Sequence, residues 1–273
     1  MPYRYAHYFV GFVLAVTVAG FWASYFVPTA PMPLAFHVHA ITAMTWLAFL
    51  IVQSVAIHRR KNAFHKTLGQ ASFVLFPLLM LGFVAIINLS SARYVAAESD
   101  FIMILGPAFG IGMVIALAAY LVLFYNALKN RRNVRLHAGY MLATPLILFE
   151  SPFSRVIDQF LPWLNVIGSE GPRAVLDTIV VSDVLVACFA LALYFRDRKH
   201  GTPWLVAIGF VLLQAVVMWF APDMAFLGPM FDAYGQIPGN LTMAAGAFAG
   251  VVVTYLGWTA GSRPKEKVAV SPA

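Results

Sequence analysis

The sequence predicts an all-α membrane protein, a polytopic bundle of about eight transmembrane helices with both termini in the cytoplasm. Composition is the first of three observations behind this prediction. Hydrophobic residues make up 61% of the 273 residues and charged residues only 11%, whereas a soluble domain has about 25% charged residues. Because so few charges cannot solvate a folded chain of this length, we expect the lipid bilayer to contact most of its surface.

The second observation is a series of apolar segments long enough to cross a bilayer core of about 30 Å. Eight can be marked, at about 6–27, 34–57, 67–92, 101–128, 136–153, 175–195, 203–221 and 240–259. The first segment is preceded by only one cation, Arg4, and lacks a small-residue cleavage site. We therefore interpret it as a retained span rather than a signal peptide. An even number of spans places both termini on one side of the membrane.

The third observation is the distribution of cations around these segments. Of the 18 Lys and Arg residues, 15 fall on the side of the termini. They are Arg4, Arg59, Arg60, Lys61, Lys66, Lys129, Arg131, Arg132, Arg135, Arg196, Arg198, Lys199, Arg263, Lys265 and Lys267. Only Arg93, Arg155 and Arg173 lie on the opposite side. Since basic loops are retained in the cytoplasm, this split predicts cytoplasmic termini.

The whole chain, residues 1–273, is predicted to form a single integral membrane domain with a weak internal repeat. A basic turn, a histidine, a glycine and a proline occur twice in that order. The two sets are Arg59 to Asn62, His65, Gly69 and Pro77, and Arg131 to Asn133, His137, Gly139 and Pro145. The repeat suggests a four-helix core over 34–153, flanked by helices at 6–27 and 175–259. Among the connections, 154–171 is predicted as an amphipathic surface helix, and 222–239 as an ordered or re-entrant loop.

A polar stripe on the second span predicts a polar interior. His39, Trp46 and Gln53 are spaced by seven residues, so each is rotated by only about 20° from the last. Glu150 and Asp183 lie at depths that overlap that of His39. Ionisable groups at membrane depth pair with one another or line a polar cavity. We therefore predict a polar intramembrane cluster of His39, Gln53, Glu150 and Asp183, either a functional site or a structural hydrogen-bond lock.

Two further histidines are candidate ligands of a metal or cofactor. His65 and His137 each stand near the start of a span that runs outward from a basic turn. Imidazole is a common metal ligand, and two imidazoles from neighbouring helices of a bundle can hold a haem iron from both sides. The alternative is that both rings lie among lipid headgroups or cap their helices.

The stretches HRRKNAFHKTLG and RLHAGYM resemble the histidine-opened helices of uncharacterised bacterial multi-span membrane proteins. More distantly they are similar to cytochrome b561-like haem proteins. The resemblance implies His65 and His137 as the axial ligands of one b-type haem, and a bacterial cytoplasmic (inner) membrane location. Span 101–128 contains no histidine, so a second haem pair cannot come from the second and fourth spans.

Three functions remain open at this stage. The first is a membrane redox protein that holds one b-type haem or a quinone in its core and serves a redox partner. The second is a proton-coupled transporter or carrier with a polar cavity in the outer half of the membrane. The third is a non-catalytic assembly or sensor subunit. The sequence contains no P-loop, GxSxG, CxxC or HExxH motif, so catalytic residues stay unknown, and no nucleic-acid partner is expected.

Overall fold

The structure is a computed structural model that describes residues 2–262, and 84% of these residues are helical. Within the described residues there are nine α-helices and no strand. They are α1 (Ala6–Gly20), α2 (Leu34–His58), α3 (Asn62–Val95), α4 (Asp100–Lys129), α5 (Val134–Phe160), α6 (Arg173–Arg196), α7 (Thr202–Phe220), α8 (Leu227–Gly235) and α9 (Gly239–Ala260). Each of the eight predicted segments coincides with one of these helices, and the all-α prediction is confirmed.

Six helices are long and apolar enough to cross a membrane, namely α2, α3, α4, α6, α7 with the turn that follows it, and α9. This is the architecture of an integral membrane helical bundle. The remaining two predicted spans differ from the six in length or composition. Helix α1 has 15 residues before a π-helical turn over Trp22–Phe26, and α5 carries several polar residues along its length. The count of eight therefore stays a prediction.

Side-chain caps mark the starts of α4 and α5. Asn133 precedes α5, and its side chain accepts a hydrogen bond from the Leu136 amide at 3.3 Å. At the opposite end of α4, the Ser99 hydroxyl accepts one from the Ile102 amide at 3.3 Å. Such caps satisfy backbone N–H groups that have no partner within the helix. They fix where α4 and α5 begin.

Aromatic residues fill the centre of the bundle, between α2, α3 and α4. Trp46, Phe76, Phe83, Tyr120 and Phe124 are all buried. Helix α3 packs against α2, α4 and α9, while α5 packs against α1, α4, α6 and α7. The ends at which α3 and α5 begin, and at which α2 and α4 end, lie together, and we call this end of the bundle the cavity end.

Glycine pairs hold two helices close to their neighbours. A Cβ atom added at Gly250 of α9 would lie 2.8 Å from the Pro77 Cα atom of α3, and one at Gly246 would lie 3.3 Å from the Met80 carbonyl oxygen. The Gly106 and Gly110 pair faces Phe231 of α8. Small residues at such positions let helix backbones approach each other. The glycine motifs therefore serve packing within the chain.

The two long connections differ from their predictions in different ways. No separate surface helix forms over 154–171, because α5 continues without a break to Phe160 and is followed only by a short 3₁₀ turn at Pro162–Leu164. The prediction of an independent amphipathic helix there is wrong. The 222–239 connection is ordered, as predicted, and contains α8. The Ser91 hydroxyl of α3 donates a hydrogen bond to the Phe231 carbonyl of α8 at 3.0 Å.

Candidate functional site: a histidine-lined cavity and a buried carboxyl pair

His65 and His137 lie near the starts of two helices at the cavity end. Each is the fourth residue of its helix, in α3 and α5 respectively. Both line the same cavity, which has a volume of about 410 Å³. The structure thus brings the two predicted ligands to one site.

The cavity is enclosed by helix ends and by the start of the chain. Its walls come from the last turns of α2 and α4 and the first turns of α3 and α5, with Tyr3 and Trp258 of α9 at its edge. Phe49, Leu50 and Phe124 provide apolar surface on the side of the bundle core. Such a mostly apolar, concave site with a few polar groups is typical of a small-molecule or cofactor site.

The hydrogen bond of His137 fixes its tautomer. Its Nδ1 atom lies 2.9 Å from the Ala127 carbonyl oxygen of α4. Because a carbonyl oxygen can only accept, Nδ1 is the protonated nitrogen, and in the neutral ring Nε2 keeps its lone pair. A histidine that ligates a metal usually donates its other N–H group to a carbonyl or carboxylate in this way.

Three other polar atoms at the cavity have no hydrogen-bond partner in the part of the chain that the structure describes. They are His65 Nδ1, Gln53 Oε1 and Ser54 Oγ, and each is shielded from solvent. Buried polar atoms are nearly always paired, since an unmade hydrogen bond costs about 1–3 kcal/mol. This group of unpaired atoms is consistent with a ligand or water in the cavity.

Positive charge stands at the edge of the cavity. Arg131 and Lys66 both line it. The Arg131 guanidinium lies over the Trp258 ring, 4.0 Å from its centroid, and donates a hydrogen bond to the Trp258 carbonyl at 2.7 Å. His58 also lines the cavity, but its ring nitrogens lie 2.7 Å and 3.2 Å from the carbonyl oxygens of Ser54 and Pro2. His58 therefore anchors the start of the chain.

The predicted polar cluster is divided among three places. Gln53 lies at the cavity end with His65 and His137. The His39 ring packs edge-on against Phe83, with 5.0 Å between centroids, and its buried Nδ1 atom has no partner among the described residues. In the same part of the chain, no hydrogen bond joins His39 to Glu150 or Asp183. The structure does not bring these four residues together.

Glu150 and Asp183 form the third place, where α5, α6 and α7 meet. Glu150 is 6% exposed, and its Oε2 atom accepts a hydrogen bond from Gln214 Nε2 of α7 at 2.9 Å. Its backbone carbonyl accepts one from the Ser182 hydroxyl of α6 at 3.3 Å. Asp183 is fully buried, and neither of its carboxyl oxygens has a partner among the described residues.

Two contacts in these regions were not predicted from the sequence. Gln214 is the amide partner of Glu150, and the signal for it was a lone polar residue in the apolar run FVLLQAVVM. Trp46 Nε1 donates to Thr144 Oγ1 at 2.9 Å and joins α2 to α5. Trp46 was recognised as part of a polar stripe, but its partner 98 residues away is set by tertiary packing.

The described residues contain no group of three or more His, Cys, Asp or Glu residues arranged to hold a metal ion. Two histidines suit a metal ion whose other ligands come from a cofactor, as a porphyrin provides them for haem iron. Comparison of the chain with protein-family models, with curated proteins and with solved structures finds no match. The function is therefore inferred from the two sites described above.

Proposed function

We propose that this integral membrane protein is a redox protein that binds one b-type haem in the cavity, where His65 and His137 are the residues that would hold the iron. The observation that carries the proposal is the position of two histidines from two helices at one cavity. The hydrogen bond from His137 Nδ1 to the Ala127 carbonyl supports it further, because it leaves Nε2 available to a metal.

The surroundings of the two histidines fit a flat, largely apolar cofactor with acidic substituents. Phe49, Leu50 and Phe124 offer apolar surface to a macrocycle. Arg131 and Lys66 offer charged partners to carboxylate substituents such as haem propionates. A bound haem would supply reversible one-electron transfer. The residues of the chain would orient the cofactor, keep water from it and set its charge environment.

A quinone is the second ligand that we propose for the cavity. The Gln53 side chain and the His65 ring reach the same apolar space, and their N–H groups can donate hydrogen bonds to quinone carbonyl oxygens. In either case the partner would be a redox protein or a lipid-soluble electron carrier. With both termini in the cytoplasm, as the cation distribution predicts, the cavity would lie towards the cytoplasmic face of the membrane.

The alternative of a proton-coupled transporter or carrier is favoured by one observation, the buried carboxyl pair of Glu150 and Asp183. These residues do not line the cavity that holds His65 and His137. A non-catalytic assembly or sensor subunit is the expectation if the purified protein holds neither haem nor quinone.

The test is an absorbance spectrum of the protein purified after expression with ample haem, first oxidised and then reduced with dithionite. We expect a Soret band that moves on reduction. His65→Ala and His137→Ala should each lose most of the bound haem, because each removes a side chain that would hold the iron. His200→Ala is the matched control, since His200 contacts Asp197 and does not line the cavity.

Two outcomes would contradict the haem proposal. One is a wild-type protein without a Soret band, and the other is equal haem content in all three variants and the wild type. Extraction of the same preparation with organic solvent then tests the quinone alternative. A quinone that is retained by the wild type and lost in Gln53→Leu would identify the ligand.

A further inference from the structure

The buried carboxyl pair lies far from the histidine cavity along the bundle. Glu150 follows His137 by 13 residues on α5, which corresponds to about 20 Å along the helix. The Ser182 hydroxyl bonds to the Glu150 carbonyl, so the next residue, Asp183, lies beside this turn of α5. The charge of Glu150 also interacts electrostatically with the Asp183 carboxyl group.

The charged groups around the pair are few. The positive charge of Arg155 interacts electrostatically with Glu150. In the part of the chain that the structure describes, however, the two side chains form no ion pair. The Arg155 guanidinium instead donates to the Ser151 carbonyl at 2.7 Å and lies over the Phe21 ring, 4.6 Å from its centroid. The negative charge of Asp158 interacts with Arg155 in turn. Two further side chains interact with the Glu150 carboxyl group, those of Ser154 and Gln214, and both are neutral.

Two ionised carboxylates are poorly accommodated in this environment. Asp183 is completely buried, and its two oxygens receive no hydrogen bond from the described residues. A carboxylate that is shielded from water and receives no hydrogen bond is strongly disfavoured. A second carboxylate beside it raises the free energy of the ionised pair further, because the two negative charges repel each other. A proton on one of the carboxyl groups removes a negative charge and supplies the donor that the neighbouring oxygens lack.

We propose that Glu150 and Asp183 form a proton-binding site that holds one exchangeable proton at neutral pH. In loading, a hydronium ion gives its proton to a carboxylate oxygen and leaves as water, and unloading is the reverse. Gln214 and Ser182 are positioning residues, because they hold the side chain and the backbone of Glu150 from two different helices. The proposal does not depend on haem, since the site shares no residue with the cavity.

Infrared spectroscopy of the full-length protein in lipid nanodiscs tests the site directly. At pH 7 we expect a C=O stretching band of a protonated carboxyl group, which shifts when water is exchanged for D₂O. Exposed Asp and Glu side chains are ionised at this pH and do not contribute to the band. Glu150→Gln and Asp183→Asn should each remove the band, because each substitution removes one of the two negative charges and places an amide N–H donor beside the carboxylate that remains. Asp158→Asn, at an exposed position on α5, is the matched control and should keep it.

Further measurements separate this proposal from its alternatives. Gln214→Leu should keep the proton but move the band, because Glu150 loses a hydrogen bond. The band should also persist in His65→Ala, whether or not that variant binds haem. Far-UV circular dichroism checks that each variant keeps its helices, and Glu150→Gln alone decides the result if Asp183→Asn does not fold.

The absence of the band from the wild type, or its presence at equal intensity in Glu150→Gln, would overturn the proposal. A band that disappears when choline chloride is replaced by sodium chloride would overturn it too, because it would show that the pair binds a metal cation in place of the proton.

Discussion

At the scale of the residue, neighbours decide what each polar group can do. His137 and His58 both have a ring nitrogen near a backbone carbonyl, yet of the two only His137 keeps its second nitrogen free of a carbonyl from the residues that the structure describes. Asp197 shows the same dependence outside the membrane-spanning segments. It lies between α6 and α7 and accepts hydrogen bonds from His200 at 3.1 Å and from Arg135 of α5 at 2.8 Å. These two partners hold the pKa of the Asp197 carboxyl below its ordinary value of 3.8.

This contact predicts a small pH dependence of stability. A carboxyl whose pKa is lower in the folded than in the unfolded state stabilises the fold above its unfolded pKa, and the effect is lost as the pH falls through the folded value. We therefore expect Asp197→Asn to melt slightly below the wild type at pH 7, and the difference to shrink as the pH falls below about 4. Thermal melts at a series of pH values measure this. A difference that stays constant or grows in acid would contradict the assignment.

At the scale of the element, the helices pack by bringing backbones close together at glycines. The α3–α9 contact is the clearest example, because Pro77 of α3 and Gly250 of α9 leave no space for a Cβ atom. Proline at position 77 is accommodated inside α3 without a break in the helix. Pro77 belongs to the repeat found in the sequence, but the fact that it faces Gly250 depends on how the two helices dock.

A matched pair of glycine substitutions tests this packing. In Gly250→Ala the new methyl group would lie 2.8 Å from the Pro77 Cα atom, so the helices must separate, and overpacking of this kind costs about 1–3 kcal/mol. Gly209→Ala on α7 is the control, since a Cβ atom there would have no atom of the described residues within 4 Å, and alanine favours a helix by up to about 1 kcal/mol. Reversible unfolding in mixed micelles measures both. Equal stability of the two variants would show that α9 does not pack on Pro77 as described.

At the scale of the whole molecule, the positions of the helices along the chain could be predicted from the sequence far better than which helices pack next to each other. Apolar runs locate most helix ends to within three residues, because the lengths of such runs are set by the membrane. The exceptions are α1, which ends seven residues before its predicted segment does, α3, which begins five residues early, and α5, which continues seven residues further. His65 and His137 share a cavity, as their equivalent positions after two basic turns suggested. The four-residue cluster did not form, because depth along a helix says nothing about which helices are adjacent. Gln53, moreover, is 14 residues beyond His39, about 21 Å further along α2.

The orientation of the bundle can be tested at the two ends of α4. This helix has 30 residues and is about 45 Å long, so it exceeds the hydrocarbon core of about 30 Å and its flanking residues Ser99 and Asn130 should lie on opposite sides. The free Cys188 within α6 is first replaced by serine. Because the basic turn after α4 is predicted to be cytoplasmic, Ser99→Cys should react with a membrane-impermeant maleimide on intact cells. Asn130→Cys should react only after the membrane is permeabilised. Labelling of position 130 alone on intact cells would reverse the topology, and labelling of both positions would show that α4 does not span the membrane.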